Sequence, residues 1–275
     1  MFRPIIALLS LWLIATPAAA AQQDVARYVR FSAADRVAWG ILDGRTVHEL
    51  SASPFTEIRR SGRTHQLDDV RLLAPVEPSK VIAVGLNYRS HLGQRPVPGY
   101  PGLFAKYPTS IVGPDAEIVL PADAGNAHYE GELVIVIGRT AKNVPVERAK
   151  EYVFGVTAGN DVSERDWQRD DLQWFRAKAT DTFAPIGPVI ATGLNYDDLL
   201  VQTRVNGEVR QTERSRDLIF GVAEIVSYLS RYITLLPGDV IFTGTPQTTQ
   251  ALKPGDTVEI EIEGVGVLRN TVVQR

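Results

Sequence analysis

Two glutamates lead directly into an apolar run at Tyr129-Glu130-Gly131-Glu132, followed without a break by Leu133-Val134-Ile135-Val136-Ile137. A strand sends alternate side chains to opposite faces, so Glu130 and Glu132 share a face with Val134 and Val136, while Leu133, Ile135 and Ile137 take the other. Both faces are apolar further on, and such a strand is covered on both sides. The two carboxylates therefore enter a buried environment side by side, where like charges repel. Either one takes up a proton or a cation sits between them, and an oxygen-liganded divalent ion is the common occupant. The competing reading leaves both glutamates in solvent at a strand mouth, with Gly131 marking a bulge. A third carboxylate tips the balance. Val153-Phe154-Gly155-Val156-Thr157-Ala158-Gly159-Asn160 reads as a second apolar strand with Asp161 at its end. Three carboxylates from two strand ends are able to hold one hard cation and leave positions for water or substrate.

With 275 residues, 44% of them hydrophobic and 22% charged, the chain is long enough for one large domain or one domain plus a small one, and its composition does not indicate disorder. A net charge of -3 gives no electrostatic reason to expect nucleic acid or an anionic membrane as partner. At the start, Arg3 precedes an apolar run from Ile5 to Ala15 broken only by Ser10, and Ala18-Ala19-Ala20-Ala21 closes it. This pattern predicts a cleavable signal peptide over residues 1–21, and its apolar run from Ile5 to Ala15 is too short to span a bilayer. The absence of cysteine excludes disulfides and thiolate metal sites. The expectation is an exported protein, periplasmic or secreted, with no membrane association after cleavage.

Residues 22–75 read as a small N-terminal β domain. Two strand-like runs flank Asp43-Gly44, a pair suited to a two-residue type I′ hairpin loop. His48 and His65 are lone histidines there, read as structural or solvated. Pro75 and Pro78 stiffen the connector into residues 76–275, expected to form the main domain. In it, Val81-Ile82-Ala83-Val84 is a short strand, and the loop after it carries His91 to a place where loops bear function. Pro96, Pro98, Gly99, Pro101 and Gly102 exclude regular structure and predict a cover, after which Phe104 to Gly113 brings Lys106 back to the domain.

Beyond Asp161 a helical turn is predicted, in which Asp161, Arg165 and Gln168 lie along one side. Lys178 sits in a segment with little periodicity, so a site is the simplest explanation for it. Val205-Asn206-Gly207-Glu208-Val209 reads as a hairpin. Leu218, Ile219, Val222, Ile225, Val226 and Leu229 form a helical core stripe. Val240-Ile241-Phe242-Thr243 ends in Gly244-Thr245-Pro246, where backbone N–H groups and the Thr245 hydroxyl are placed to meet a carboxylate. Val258 to Glu263 alternates strictly, which puts its glutamates on the solvent face of a half-buried strand.

These segments, taken together and in this order, resemble the fumarylacetoacetate hydrolase family, in particular bacterial members with a small N-terminal β domain. The resemblance is carried by Val84-Gly85-Leu86-Asn87-Tyr88 with His91, Thr109 to Pro114, Tyr129-Glu130-Gly131-Glu132, Gly159-Asn160-Asp161-Val162-Ser163-Glu164-Arg165-Asp166, Lys178 before Phe183-Ala184-Pro185-Ile186-Gly187-Pro188, and Pro237 to Pro246. It spans nearly all of residues 22–275. It implies an α+β, β-rich fold, a mixed β-roll catalytic domain. It puts Glu130, Glu132 and Asp161 in the place of the family's magnesium or manganese ligands. Arg165, Gln168 and Lys178 correspond to polar residues lining the family's pocket, and Thr245 to a loop residue that touches the substrate carboxylate.

The chemistry implied is cleavage or isomerisation next to a 2-oxo acid or β-dicarbonyl, in which a divalent ion stabilises a developing enolate. Lys178 adds positive charge near that oxygen, and His91 is the base or proton shuttle. The expected partners are a small oxo-acid substrate and, as is common in the family, a second copy of the chain in a homodimer. Two departures matter. Many relatives have a glutamate three residues after the histidine, whereas this chain has Gln94, which weakens the base and favours tautomerisation or isomerisation over hydrolysis. The loop after Thr245-Pro246 is Gln247-Thr248-Thr249-Gln250 where glycines are usual, which points to a different substrate shape. An oxo-acid decarboxylase on the same site and a non-catalytic metal-dependent binding protein are the alternatives.

Overall fold

A computed structural model describes residues 24–34 and 36–275, and the leader expected over residues 1–21 lies outside them. Antiparallel strands begin at once: β1 (Ala26–Ala33), β2 (Arg36–Asp43), β3 (Thr46–Leu50) and β4 (Arg60–Gln66), with β5 (Arg71–Leu73) returning to pair with β1. The β2–β3 loop is displaced by one position from its expectation. Pairing continues to Asp43 opposite Thr46, so Gly44 and Arg45 make the loop, and Gly44 takes φ +56°, which a residue without Cβ adopts freely.

The chain continues through β6 (Val81–Gly85), the one-turn α1 (Arg89–Leu92), β7 (Gly102–Lys106), β8 (Ile111–Val112), β9 (Glu117–Leu120) and β10 (Ala127–His128). Next come β11 (Gly131–Ile137), β12 (Val153–Asn160), β13 (Ser163–Glu164), α2 (Arg165–Asp170), α3 (Phe175–Ala179) and β14 (Ala184–Thr192). The last part holds β15 (Leu200–Val205), β16 (Glu208–Arg214), α4 (Val222–Tyr232), β17 (Val240–Phe242), β18 (Thr257–Ile262) and β19 (Gly266–Gln274).

The largest sheet runs in the order β4-β3-β2-β1-β14-β12-β11-β17-β6-β7, with β5 beside β1 and β8 beside β14. A second sheet, β16-β15-β18-β19-β9, packs against its β11–β12–β14 portion, and β10 pairs with β13. Parallel pairs (β6–β17, β8–β14, β9–β19) are mixed with antiparallel ones. The fold is the expected α+β, β-rich roll.

β11 lies in the middle of the large sheet, and every residue from Gly131 to Ile137 is buried. Its odd face, Leu133, Ile135 and Ile137, packs with Val201, Ile260, Ile225 and Leu229 in one core. Its even face, Val134 and Val136, packs with Ile186, Val240 and Phe242 in the other. Cover on both sides is thus what the apolar run encoded, and each such aliphatic side chain contributes about 1.5–3 kcal/mol by leaving water. β18 keeps Val258, Ile260 and Ile262 inside while Glu259 and Glu261 reach Arg204 on the outer face. Asn206 and Gly207 adopt φ of 54° and 82° between β15 and β16, the type I′ geometry expected there.

Two helical expectations need correction. α4 starts at Val222, later than the stripe beginning at Leu218, because Asn87 captures the preceding backbone. Its carbonyl accepts from Ile219 N at 2.8 Å, its Oδ1 from Phe220 N at 2.8 Å, and its Nδ2 donates to Phe220 O at 3.0 Å. α2 starts at Arg165 with Glu164 as its N-cap, whose carboxylate accepts from Trp167 N at 2.7 Å. Asp161 lies before that helix and is placed by the end of β12.

Candidate active site

Antiparallel pairing of β11 with β12 sets Gly131 opposite Asn160, so the start of one strand lies beside the end of the other. β17 runs antiparallel to β11 and parallel to β6, so the loops after Phe242 and Gly85 open at the same end of the sheet. Glu130, Glu132 and Asp161 therefore converge. Each offers a carboxylate oxygen within 4.8 Å of the others, and their exposures are only 4%, 2% and 1%. Gly131 is no bulge, because its register with Asn160 is regular. A Cβ there would stand 2.0 Å from Thr203 Oγ1 and 3.0 Å from Ile260 Cδ1, so glycine is what allows the second sheet to press against the two glutamates.

Three cations meet two of the three acids. Lys178 Nζ donates to Glu130 Oε2 and to Asp161 Oδ2, both at 2.7 Å. Lys106 Nζ lies 2.5 Å from Asp161 Oδ1, and Arg165 Nη2 2.5 Å from Glu130 Oε1. Both lysines are as buried as the acids, and charges so placed persist only when paired. Burial raises the Glu130 carboxyl, but the charges of Lys178, Arg165 and His91 outweigh it and hold it well below the usual range. Burial, reinforced by the charges of Asp161 and Glu130, pushes Glu132 well above that range. Its partner is the Gly244 N–H, which donates to Glu132 Oε2 at 2.6 Å. Burial pulls Lys106 down although Asp161 opposes it. Lys178 is likewise penalised by burial, yet Asp161 and Glu130 raise it overall.

Above the acids opens a cavity of about 1070 Å³ whose walls include His91, Arg165, Gln168, Lys178 and Thr245 as well as the three carboxylates. All eight residues singled out from the sequence are thus gathered around one space. Arg165 and Gln168 share a side of α2, with Arg165 Nη1 donating to Gln168 Oε1 at 2.8 Å. His91 Nδ1 lies 2.5 Å from the Gln247 carbonyl oxygen, and its Nε2 lies 3.9 Å from Glu130 Oε1. A carbonyl can only accept, so Nδ1 carries a proton and Nε2 is the ring nitrogen that faces the acids. The Thr245 hydroxyl is already engaged. It donates to Gly131 O at 3.0 Å and accepts from Gln211 Nε2 at 2.8 Å, which leaves it no proton for a substrate carboxylate.

Two residues of the site had no role assigned from the sequence. Lys106 ends an edge strand, β7, and only the tertiary fold shows that its ammonium meets Asp161. His128 stands two residues before Glu130, and the period of a strand would have put it on the same side. Burial and the Arg165 charge push its pKa down to about 4, so it is neutral near pH 7. It accepts at Nδ1 from the Thr249 hydroxyl and donates at Nε2 to Asn126 Oδ1, both at 2.9 Å.

The donor set suits a hard divalent cation. Three buried carboxylates have oxygens within 4.8 Å of one another, and burial, then the charges of Asp161 and Glu130, raise Glu132. A divalent ion removes the need for that proton. The chain therefore contains a carboxylate site capable of coordinating such an ion.

Comparisons with known proteins agree with this geometry. The model of the family described as Fumarylacetoacetate (FAA) hydrolase C-terminal matches residues 80–273, and that described as Rv2993c-like, N-terminal matches residues 26–75. Protein Rv2993c of Mycobacterium tuberculosis is 47% identical over 262 residues, 90% of this chain and 98% of the relative. The human mitochondrial oxaloacetate tautomerase FAHD2A is 41% identical over 220 residues, 74% of this chain and 70% of the relative. The crystal structure of a 2-hydroxyhepta-2,4-diene-1,7-dioate isomerase from Mycobacterium marinum superposes with a TM-score of 0.86 at 45% identity, covering 91% of this chain and 99% of the other. That of a maleylpyruvate hydrolase from Sphingobium, in complex with manganese(II) and pyruvate, gives 0.75 at 30% identity, over 90% and 99%. These relatives overturn the expectation of an exported, periplasmic or secreted protein: the human and bovine tautomerases are named as mitochondrial. The export reading rested on the composition of residues 1–21 alone, a short apolar run with an alanine-rich exit.

Proposed function

Since the chain belongs to the fumarylacetoacetate hydrolase family, we propose that it is a magnesium- or manganese-dependent isomerase or tautomerase of small 2-oxo acids, with C–C hydrolysis as its secondary capacity. The observation that carries this reading is His91 Nε2 facing the buried acids, with Nδ1 bound to a neutral backbone carbonyl. A carboxylate partner would stabilise the imidazolium strongly. A carbonyl stabilises it less, which suits a group that takes a proton and returns it.

Glu130, Glu132 and Asp161 hold the ion in this reading. When bound, the ion supplies Lewis-acid charge that draws electrons toward the substrate's oxygens. The chain's own residues do the rest. His91 Nε2 removes a proton from the carbon beside the ketone. The C–H pair becomes a carbon–carbon double bond, and the carbonyl π pair moves onto oxygen. Lys178 spends two of its N–H bonds on Glu130 and Asp161 and keeps the third for that oxygen. Arg165 and Gln168 orient the carboxylate end. The proton returns from His91 to oxygen in a tautomerisation, or to a distant carbon in an isomerisation. The human relative is named an oxaloacetate tautomerase and the mycobacterial one an isomerase of an unsaturated dioate, which supports this choice of substrate class. Residues 22–75 and 76–275 remain the two units of this reading, and the working form is a homodimer, testable by sedimentation.

The test is the purified chain with Mg²⁺ or Mn²⁺, following decay of the ultraviolet enol absorbance of oxaloacetate, cleavage of acylpyruvates and release of pyruvate by decarboxylation. Enol decay that is lost in Glu132→Ala is the expected result. Acylpyruvate cleavage faster than tautomerisation would reverse the order of activities. Tight binding with no turnover of any oxo acid would point to a non-catalytic binding protein.

A further inference from the structure

At the inner end of the cavity every cation has a carboxylate partner, Asp161 for Lys106, Glu130 for Arg165 and both for Lys178. Glu132 is bound instead by the Gly244 N–H. Along the wall, Arg169 is held by Asp166 at 2.9 Å and by Asp170 at 2.7 Å. Arg95 also lines the cavity, and among the described residues its guanidinium has neither a carboxylate nor a hydrogen-bond acceptor. It is the cation of this wall left without a counter-charge.

Its backbone is fixed nonetheless. α1 carries His91 and is tied down by two contacts, Gln247 N donating to Ser90 Oγ at 3.0 Å and His91 Nδ1 donating to Gln247 O. Gly93 turns the chain with φ +61°, and Arg95 N closes that turn on Leu92 O at 3.2 Å. Pro96 then locks the exit. The base and the unpaired guanidinium thus ride on one short loop, and both line the same cavity.

We infer that Arg95 is a specificity-determining residue, which binds a second carboxylate at the end of the substrate remote from the acids and so selects dianionic oxo acids over monoanionic ones. This rests on the reading of the site as an oxo-acid enzyme and adds to it the substrate's charge and the residue that senses it. A guanidinium presents a planar pair of N–H donors that a carboxylate engages at two points, a contact worth about tenfold in affinity at a partly solvated site. The neighbouring Gln94 amide is a neutral donor that adds no competing charge.

The experiment is titration calorimetry of the full chain with Mg²⁺, comparing oxaloacetate, which has the second carboxylate, with pyruvate, which lacks it. The wild-type protein binds oxaloacetate about tenfold or more tighter than pyruvate. Arg95→Gln brings the two within about threefold by weakening oxaloacetate, and Arg95→Lys keeps most of the preference. An unchanged ratio in Arg95→Gln, or no preference in the wild type, overturns the proposal. Turnover measured in parallel separates the two claims. Preference without turnover leaves Arg95 its role and removes the enzymatic reading, whereas turnover without preference removes only the role of Arg95.

Discussion

His91 and Gln247 are joined through an imidazole Nδ1 and a backbone carbonyl 2.5 Å apart, and this contact decides which ring nitrogen faces the acids. No side-chain substitution at position 247 can delete it, so the test falls on the ring. His91→Ala lowers kcat for tautomerisation by about 10²–10⁴-fold. Calorimetry shows metal binding retained, because the three carboxylates do not depend on the imidazole for position. A variant with full turnover would move the base to another residue.

Lys178 bridges Glu130 and Asp161 from within the protein. In Lys178→Met both acids lose a buried counter-charge, and metal-free protein loses about 3–5 kcal/mol of stability. Saturating Mg²⁺ or Mn²⁺ restores a large share of it, read as a larger rise in Tm on adding metal than the wild type shows. Equal rises in the two proteins would mean the ion does not occupy the space between these acids.

Glu132 holds its proton well above the pH at which a free glutamate releases one, through burial and then the Asp161 and Glu130 charges. Between the unfolded value of about 4.3 and that raised value the metal-free fold binds more protons than the unfolded chain, so this residue's contribution to stability falls as pH rises through the window. Metal binding displaces the proton. Affinity therefore increases with pH, and calorimetry in buffers of different ionisation heat reads proton release on ion binding within that window. No proton release would show Glu132 already ionised.

At Glu49 the sign is opposite. Hydrogen bonds from Arg63 and Arg36 outweigh the cost of burial, with His65 adding a third, and hold the carboxyl far below its ordinary range. Stability from this cluster is present above the unfolded value of about 4.3 and is lost as pH falls below it. Glu49→Gln costs about 1 kcal/mol near neutral pH, a modest figure because both arginines stay half in water. It also flattens the acid side of the stability curve in denaturant titrations.

Gly131→Ala places a methyl group 2.0 Å from Thr203 Oγ1. Strand and sheet must part, at about 1–3 kcal/mol. Because Glu130 and Glu132 flank that position, metal affinity drops along with Tm. A drop in Tm alone would show that the glutamates hold their place without the close sheet contact.

The carboxylates were legible because their evidence is local. A period of two, an apolar run and a strand end single out Glu130, Glu132 and Asp161 as candidates, and the family resemblance joins them as one ligand set. Lys106 was not legible, since what makes it functional is Asp161, 55 residues away in sequence. Thr245 was placed correctly beside the site, but the partners that occupy its hydroxyl, Gly131 and Gln211, come from two other strands. The roll itself was reached through resemblance to a family, as pairings such as β9 with β19 join residues about 150 positions apart and leave no periodic trace. The start of α4 escaped for the same reason, being set by Asn87.

β1 pairs with β14 through Ala26, Arg27 and Tyr28, and β14 pairs with β12, whose end delivers Asp161. The amino-terminal hairpins are therefore no detachable ornament. Cutting the chain near residue 76 would strip β1 from β14 and leave a raw row of amide groups on the strand next to the one that delivers Asp161. Such a fragment is expected to stick to its own kind before it can be assayed.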